Sequence, residues 1–336
     1  MRLVAPVAAS LVLAACATTP PIGLPAAEVT AAVETEPVGT ANEDAADDPA
    51  IWRNPADPEA SLIVATDKKS GLLVYDLAGR TRFTDTSGML NNVDLATMPD
   101  GRVIVVASDR NDLANARLRL WRLDTAAARL EPLGTVPGGS GEGYGLCLRR
   151  DGDALLAYSV LKVGTIHEYR IDLTGAPTAQ PLRTMKLATQ TEGCVADPVD
   201  GTLYVGEEDV GIWRFASGAT EGTLVAPVDN RHLVADVEGL ALLRDGGRAL
   251  LVASSQGDNA FAVFALPEMT PLGRFRIAAG IVGATEETDG LELAGGSFGD
   301  LFPEGLFVAQ DGHNAPAAQN FKLVSWAAIK AALGID

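Results

Sequence analysis

Asp48-Pro49-Ala50-Ile51-Trp52 begins a series of six similar segments, each with one polar residue directly before a short apolar run. The polar residues that mark the other five segments are Asp94, Tyr144, Glu192, Glu238 and Asp289. Counted from Asp48, successive markers are 46, 50, 48, 46 and 51 residues apart. A fixed period of this length is typical of repeat architectures, and it suits four short strands with their turns. The sequence therefore predicts six repeated units.

Each unit continues with further apolar strands after its marker. The second and third strands are clearest at 62–65 with 72–75, at 202–206 with 210–215, and at 250–253 with 260–264. Thirty-five glycines and 19 prolines supply the turns that such short strands need. We predict an all-β fold, a six-bladed β-propeller with four-stranded antiparallel blades. An early strand at 32–35 should close the ring by completing the last blade, and residues 326–333 have helical spacing.

The charge balance limits the possible partners. The chain has 44 Asp and Glu against 26 Lys and Arg, a net charge of −18. Because nucleic-acid binding depends on cations that neutralise phosphates, we expect no nucleic-acid partner. Acidity of this size serves solubility, or it provides clustered carboxylates for a divalent cation.

The N-terminus resembles an export signal. Arg2 precedes an apolar run to Ala15, and Leu13-Ala14-Ala15-Cys16 matches a bacterial lipobox. We predict a signal peptide at 1–15, lipidation of Cys16, a tether at 16–28 and one domain at 29–336. The protein should then be exported and anchored by lipid to the bacterial outer membrane, in the periplasm or at the cell surface, with no other membrane contact. A plain secretory peptide with an incidental Cys16 is the alternative.

Two cysteines remain for the folded domain. In an oxidising compartment Cys147 and Cys194 could pair, or each could be a small buried hydrophobic residue. Neither lies in a spacing typical of zinc ligands, so no zinc site is predicted.

The six markers indicate a cation site. The innermost strand of each propeller blade lines the central axis, so residues at the starts of these strands should converge at one end of the channel. Five of the six markers are Asp or Glu, and carboxylates brought together repel one another unless a cation or protons neutralise them. We expect bound Ca²⁺, with a purely structural ring of hydrogen-bonded turn caps as the alternative.

Further oxygen ligands lie in equivalent loops. They are Glu34, Asp47, Glu207, Glu208, Asp209, Asp236, Gln256, Asp311 and Asn314. Such a set suits Ca²⁺ better than a transition metal. The three histidines are expected to be hydrogen-bonding loop residues rather than ligands, namely His167, His232 and His313.

Cations recur at comparable positions after the second strand of a unit, where other units have Glu208 or Gln256. These cations are Lys68 with its neighbour Lys69, Arg110 and Lys162. They should share the acidic end of the channel. Carboxylates, a metal ion and Lys or Arg on one face are typical of a phosphate-handling site.

The chain resembles the β-propeller phytases, calcium-dependent enzymes that remove phosphate from inositol hexakisphosphate. The resemblance covers residues 33–329, and its motifs occur at 44–52, 68–72, 90–94, 190–193, 207–209, 236–240, 254–257 and 307–312. It implies a monomeric hydrolase that acts on phytate or other inositol phosphates with several calcium ions and a metal-activated water.

The resemblance also implies roles for individual residues. Calcium at the cleavage site would be held by Glu34, Asp48, Glu192 and Glu208. Calcium in or near the channel would be held by Asp236, Glu238, Gln256 and Asp289. Asp47 and Asp311 are further candidate calcium ligands. Phosphate would be contacted by Lys68, Lys69, Arg110, Lys162 and Asn92. The residues expected to act in catalysis are Lys68, Arg110, Tyr144, Lys162 and Glu192.

Three positions depart from the family pattern. Gly283 and Glu287 stand where the family commonly has Asp, and His313 stands where it has Glu. One calcium site at the cleavage centre should therefore be weakened or rebuilt. Two other functions stay open at this point: a calcium-dependent propeller lactonase or esterase, which generally needs a His base beside the metal, and a non-catalytic propeller that binds inositol phosphates or calcium.

Overall fold

The computed structural model describes residues 22–245 and 247–335 and has the predicted architecture, a six-bladed β-propeller. The predicted signal peptide and Cys16 lie outside the described residues. Two strands, β1 (Ala27–Thr30) and β2 (Val33–Glu34), precede the first blade.

The six blades follow one another along the chain. Blade 1 contains β3 (Ala46–Trp52), β4 (Leu62–Asp67), β5 (Gly71–Asp76) and β6 (Thr81–Asp85). Blade 2 contains β7 (Leu90–Thr97), β8 (Val103–Asp109), β9 (Asn115–Asp124) and β10 (Arg129–Ser140). Blade 3 contains β11 (Gly143–Asp151), β12 (Ala154–Leu161), β13 (Thr165–Asp172) and β14 (Thr178–Lys186).

Blades 4 to 6 complete the ring. Blade 4 contains β15 (Thr191–Ala196), β16 (Leu203–Glu207), β17 (Gly211–Phe215) and β18 (Thr223–Pro227). Blade 5 contains β19 (Val237–Asp245), β20 (Arg248–Ser255), β21 (Ala260–Ala265) and β22 (Thr270–Ala278). Blade 6 contains β23 (Leu291–Gly295), β24 (Gly305–Asp311) and β25 (Asn320–Ser325), with β2 as its outer strand.

The N-terminal segment closes the ring. The strand β2 pairs antiparallel with β25, with Val33 opposite Leu323 and Glu34 opposite Lys322, which confirms the predicted closure. The strand β1 was not predicted: it lies parallel to β22 and gives blade 5 a fifth strand. Structured chain therefore begins before the predicted domain boundary at residue 29, because β1 pairs with the free edge of blade 5 and buries Val29.

Apolar side chains fill the spaces between neighbouring blades. Between blades 5 and 6, for example, the rings of Phe261, Phe275 and Phe307 have centroids 5.0 to 5.3 Å apart. The predicted helix is present as α1 (Trp326–Leu333), and it buries Trp326 and Ile329. Within the described ranges, no helix has the length and apolar character needed to cross a membrane.

A disulfide joins two neighbouring inner strands. Cys147 on β11 and Cys194 on β15 are bonded, with their Cα atoms 5.7 Å apart. The sequence left open whether Cys147 and Cys194 pair or are separate buried residues, and the structure shows that they pair. The bond links blades 3 and 4 close to the channel axis.

Candidate active site

The inner strands share a bulge that builds the site. In blades 1 to 5 the ladder between the first two strands skips two residues of the inner strand. The first skipped residues are Asp47, Asn91, Tyr144, Glu192 and Glu238, and in blade 6 Asp289 stands two residues before β23. A bulge redirects the side chain that it displaces, so one polar side chain from each blade is aimed at the same end of the channel.

Glycine at the second bulge position lets the inner strands approach one another. A Cβ atom on Gly145 would lie 1.9 Å from the carbonyl oxygen of Glu192, and one on Gly193 would lie 2.1 Å from that of Glu238. Any larger residue would collide with the backbone of the next blade. These glycines therefore set how closely the inner strands of these neighbouring blades can approach one another.

The register corrects two of the sequence markers. In blade 1 the position equivalent to Glu192 is Asp47, and Asp48 takes the glycine position, where its carboxylate accepts the backbone N–H of Val93 at 3.1 Å. In blade 2 the equivalent position is Asn91, and Asp94 lies three residues further along β7. The Asp94 carboxylate accepts the N–H of Leu148 at 2.7 Å, and burial raises its pKa to about 7. Asp94 thus lies within the channel rather than at its end.

Three glutamates form the acidic centre of the site. Ligand oxygens of Glu192, Glu208 and Glu238 all lie within 4.8 Å of one another, and the residues are only 5, 6 and 6% exposed. Oε1 of Glu208 and Oε2 of Glu238 are buried without a hydrogen-bond partner. Among the ion pairs of the described chain, none involves these three residues. We call them the glutamate triad.

The glutamate triad is electrostatically unfavourable without a cation. Burial, and then the charge of Asp47, raises the pKa of Glu192 well above its ordinary value. Burial followed by the charge of Glu192 does the same to the pKa of Glu238, and burial raises the pKa of Glu208 to about 7. Buried carboxylates that lack donors and counter-ions are stabilised when a hard cation binds among them. The triad therefore has the composition of a site that could hold a hard metal ion.

A lysine lies within a second acidic group on the opposite side of the axis. Lys68 Nζ is 2.8 Å from Asp44, 2.9 Å from Asp289 and 3.5 Å from Asp47. Burial alone would lower the pKa of Lys68, but the charges of Asp47 and Asp289 raise it overall. Gln256 donates to the other oxygen of Asp289 at 2.7 Å, and burial raises the pKa of Asp289 to about 8.

The predicted cations do share one position. The backbone N–H groups of Lys68, Arg110, Lys162, Glu208 and Gln256 each donate to a carbonyl two residues before the bulge position of their own blade, at 2.7 to 3.2 Å. Each therefore lies directly beside the bulge. Lys69, by contrast, has an exposed side chain, and its Nζ is 3.9 Å from the carboxylate of Glu43.

Arg110 and Lys162 both lie against the ring of Tyr144. The Arg110 guanidinium carbon is 5.6 Å and the Lys162 Nζ is 4.8 Å from the centre of the Tyr144 ring. Arg110 also donates to Asn91 Oδ1 at 2.5 Å and pairs with Glu142. Burial, and then the charge of Glu192, raises the pKa of Tyr144, so its hydroxyl keeps its proton.

Glu34 and Asp311 meet at the closed seam of the ring. Both bind the buried ammonium group of Lys322, at 2.6 and 3.0 Å respectively. Burial alone would raise the pKa of Glu34, but its hydrogen bond and charge interaction with Lys322 lower it.

The remaining predicted residues have other environments. Glu207 accepts backbone N–H groups from Ala188 and Thr189 and the indole N–H of Trp213, so its carboxylate is fully used within its own blade. Asp236 is half-buried, and burial raises its pKa. Asn92 is buried beside Asn91, and its backbone N–H donates to Ser108.

The three histidines are not members of the glutamate triad, and His167, which was predicted to lie in a loop, lies on β13 instead. His167 bonds with Thr184, His232 bonds with Asp229, and His313 is exposed. No histidine joins the candidate metal cluster found among residues 22–245 and 247–335. The arrangement therefore gives no support to the lactonase alternative.

Sequence reasoning missed several members of the site. Asn91 donates to Glu192 Oε1 at 2.7 Å, and Gln190 donates to the Tyr144 hydroxyl at 3.2 Å. Asp44, Glu142 and Lys322 were missed as partners of the charged residues. Counting two residues back from the residue at which each inner strand resumes its ladder, which is Val93 in blade 2, would have found Asn91.

The fold is an all-β propeller, and buried carboxylates bordered by Lys and Arg lie at one end of its axis. Such a combination defines a class of protein, an enzyme that acts on phosphate esters. The family model described as Phytase matches residues 1–336. The 3-phytase of Bacillus subtilis (strain 168) is 36% identical over 328 residues, which cover 91% of this chain and 86% of that protein. The chain belongs to the phytase family.

Proposed function

We propose that this protein is a calcium-dependent phytase that releases phosphate from phytate or other inositol phosphates. The observation that carries the proposal is the glutamate triad, in which Glu208 and Glu238 each have a buried oxygen without a donor and none of the three carboxylates forms an ion pair within the described residues. Arg110 and Lys162 lie against the neighbouring Tyr144 ring. A face this acidic repels a phosphate polyanion unless positive charge lies between them. The similarity to a 3-phytase supports the choice of substrate.

The residues present fit Ca²⁺. Glu192, Glu208 and Glu238 would hold an ion directly, since carboxylate oxygens are the ligands that Ca²⁺ prefers and two of these oxygens are unpartnered. Asp47 has both carboxylate oxygens buried without a hydrogen bond, so it could hold another. When bound, calcium would neutralise phosphate charge and increase the acidity of water at the site.

The chain's own residues would bind and orient the substrate. Arg110 can present two N–H groups to a phosphate, and Lys162, which lies against the same Tyr144 ring, can add a second positive charge. Asn91 and Glu142 hold the Arg110 guanidinium in place before substrate arrives. Beside Asp289 and Gln256, an open cavity of about 480 Å³ offers polar room for the rest of a highly substituted ring.

Calcium removal provides the direct test. We expect residues 22–336 to release phosphate from sodium phytate at neutral pH with excess Ca²⁺, and to lose this activity in EGTA, because the glutamate triad then repels the substrate. Released phosphate and phytate binding should be measured separately on the same folded sample. Binding with calcium but no release would leave the non-catalytic alternative, whereas full release in EGTA would contradict the calcium requirement.

We also propose that the protein is an exported monomer, attached to the outer membrane by a lipid on Cys16. The support is the lipobox at the N-terminus. In a Gram-negative host, mass spectrometry of the full-length protein should show a diacylglyceryl modification on Cys16. The variant Cys16→Ser should be soluble after cell lysis while the parent stays with the membrane; equal partitioning of the two would argue for a plain secretory signal.

A further inference from the structure

A buried lysine lies within a complete set of oxygen atoms at the seam of the ring. Lys322 is 0% exposed, and its Nζ is 2.6 Å from Glu34 Oε2 and 3.0 Å from Asp311 Oδ2. Two amide oxygens complete the set, Asn320 Oδ1 at 2.8 Å and Asn314 Oδ1 at 3.3 Å. We call these four oxygen-bearing residues the seam cage.

The seam cage has the composition of a divalent-cation site. Two carboxylate and two amide oxygens converging on one point are hard ligands of the kind that Ca²⁺ takes. Lysine side chains are almost never fully buried unless they are paired, and here the ammonium group occupies the position that an ion would need. Gly283 leaves room for it, since a Cβ atom on that residue would lie 3.3 Å from Lys322 Nζ.

The cage contrasts with the glutamate triad at the same end of the propeller. Its two carboxylates share an internal cation, whereas Glu208 and Glu238 each have a buried oxygen without any donor. The same chain therefore neutralises one acidic group by itself and leaves the other to a ligand from solution.

We propose that Lys322 is a tethered cation, which occupies the seam cage in place of a divalent ion. The seam then requires no metal, and Ca²⁺ from solution binds elsewhere on the acidic face. This inference depends on the proposed function in one respect only, which is that Ca²⁺ is chosen as the test ion. Replacing the ammonium group should convert the cage into a calcium site.

Calcium stoichiometry tests the inference. Lys322→Ala should bind one Ca²⁺ per chain more than the parent by equilibrium dialysis or isothermal titration, because the vacated carboxylates and amides accept the ion. Its melting temperature should be lower than that of the parent in EGTA and should recover more with calcium. The matched control is Lys330→Ala, which removes a lysine paired with Glu304 and should leave both measurements as in the parent.

A second variant decides the matter if Lys322→Ala does not fold. Asp311→Asn keeps Lys322 in place, and it should bind as many Ca²⁺ ions as the parent, because the Asp311 carboxylate holds an ammonium group rather than calcium. Loss of one ion from Asp311→Asn, or no additional ion in folded Lys322→Ala, would overturn the inference. The two proposals can also fail separately. If the parent binds no calcium and Lys322→Ala binds one ion, the proposed calcium dependence is refuted, but the inference about Lys322 is supported.

Discussion

Glu192→Gln is expected to lower calcium-dependent phosphate release on the order of 100-fold or more, since even outer partners of a metal site contribute about 10- to 100-fold. Glu192 carries one of the three carboxylates of the glutamate triad, and its Oε1 accepts a hydrogen bond from Asn91. The amide preserves the shape of the side chain and removes its charge. Calcium titrations of the initial rate should show a weaker apparent affinity together with a lower maximum.

The matched control for this prediction is Glu221→Gln, which removes a carboxylate at an exposed position. It should leave both the rate and the calcium dependence unchanged. Glu192→Gln should still unfold cooperatively, because the substitution relieves repulsion with Asp47 and Glu238. An unchanged rate and calcium affinity in Glu192→Gln would show that this carboxylate holds no catalytically required ion.

Removing the disulfide should be the largest single loss of stability. The double variant Cys147→Ser, Cys194→Ser opens a cross-link between residues 47 apart in sequence, and loop closure of this length is worth about 4 kcal/mol of unfolding free energy. The bond also fixes β11 against β15, just beyond Tyr144 and Glu192. Denaturant unfolding of the parent and the double variant should measure the difference.

Reductant provides the internal control for the disulfide. It should destabilise the parent by a similar amount and leave the double variant unaffected. Equal unfolding midpoints for the parent and the double variant under oxidising conditions would mean that the bond contributes nothing to the native state.

The fold could be predicted because its cause is local and repeated. Each blade repeats a polar residue, an apolar strand and a turn, so the strand count and ring closure follow from periodicity alone. The helix Trp326–Leu333 was equally visible from its spacing. The strand β1 could not be predicted. It has only four residues, and their sequence does not indicate that they pair with the edge strand of blade 5.

The site was predicted less well where tertiary geometry decides the outcome. Asp94 matched the spacing of the markers, but the bulge in β7 puts Asn91 at the end of the channel and Asp94 inside it. The distance between cysteines in a chain does not reveal whether their strands are neighbours, so the pairing of Cys147 and Cys194 stayed open. Lys322 lies between Phe321 and Leu323, and a charge in an apolar strand gives no indication of which acids it meets.

The closure of the ring also bears on the biosynthesis of the protein. Glu34 lies on β2, while its partner Lys322 lies on β25, 288 residues later in the chain, so it leaves the ribosome much later than Glu34 does. This corner of the acidic face cannot assemble until both segments have been synthesised and have met. A chain still in synthesis, or one threaded unfolded through an export channel, would therefore have an incomplete site. Maturation of the enzyme would coincide with the pairing of β2 with β25.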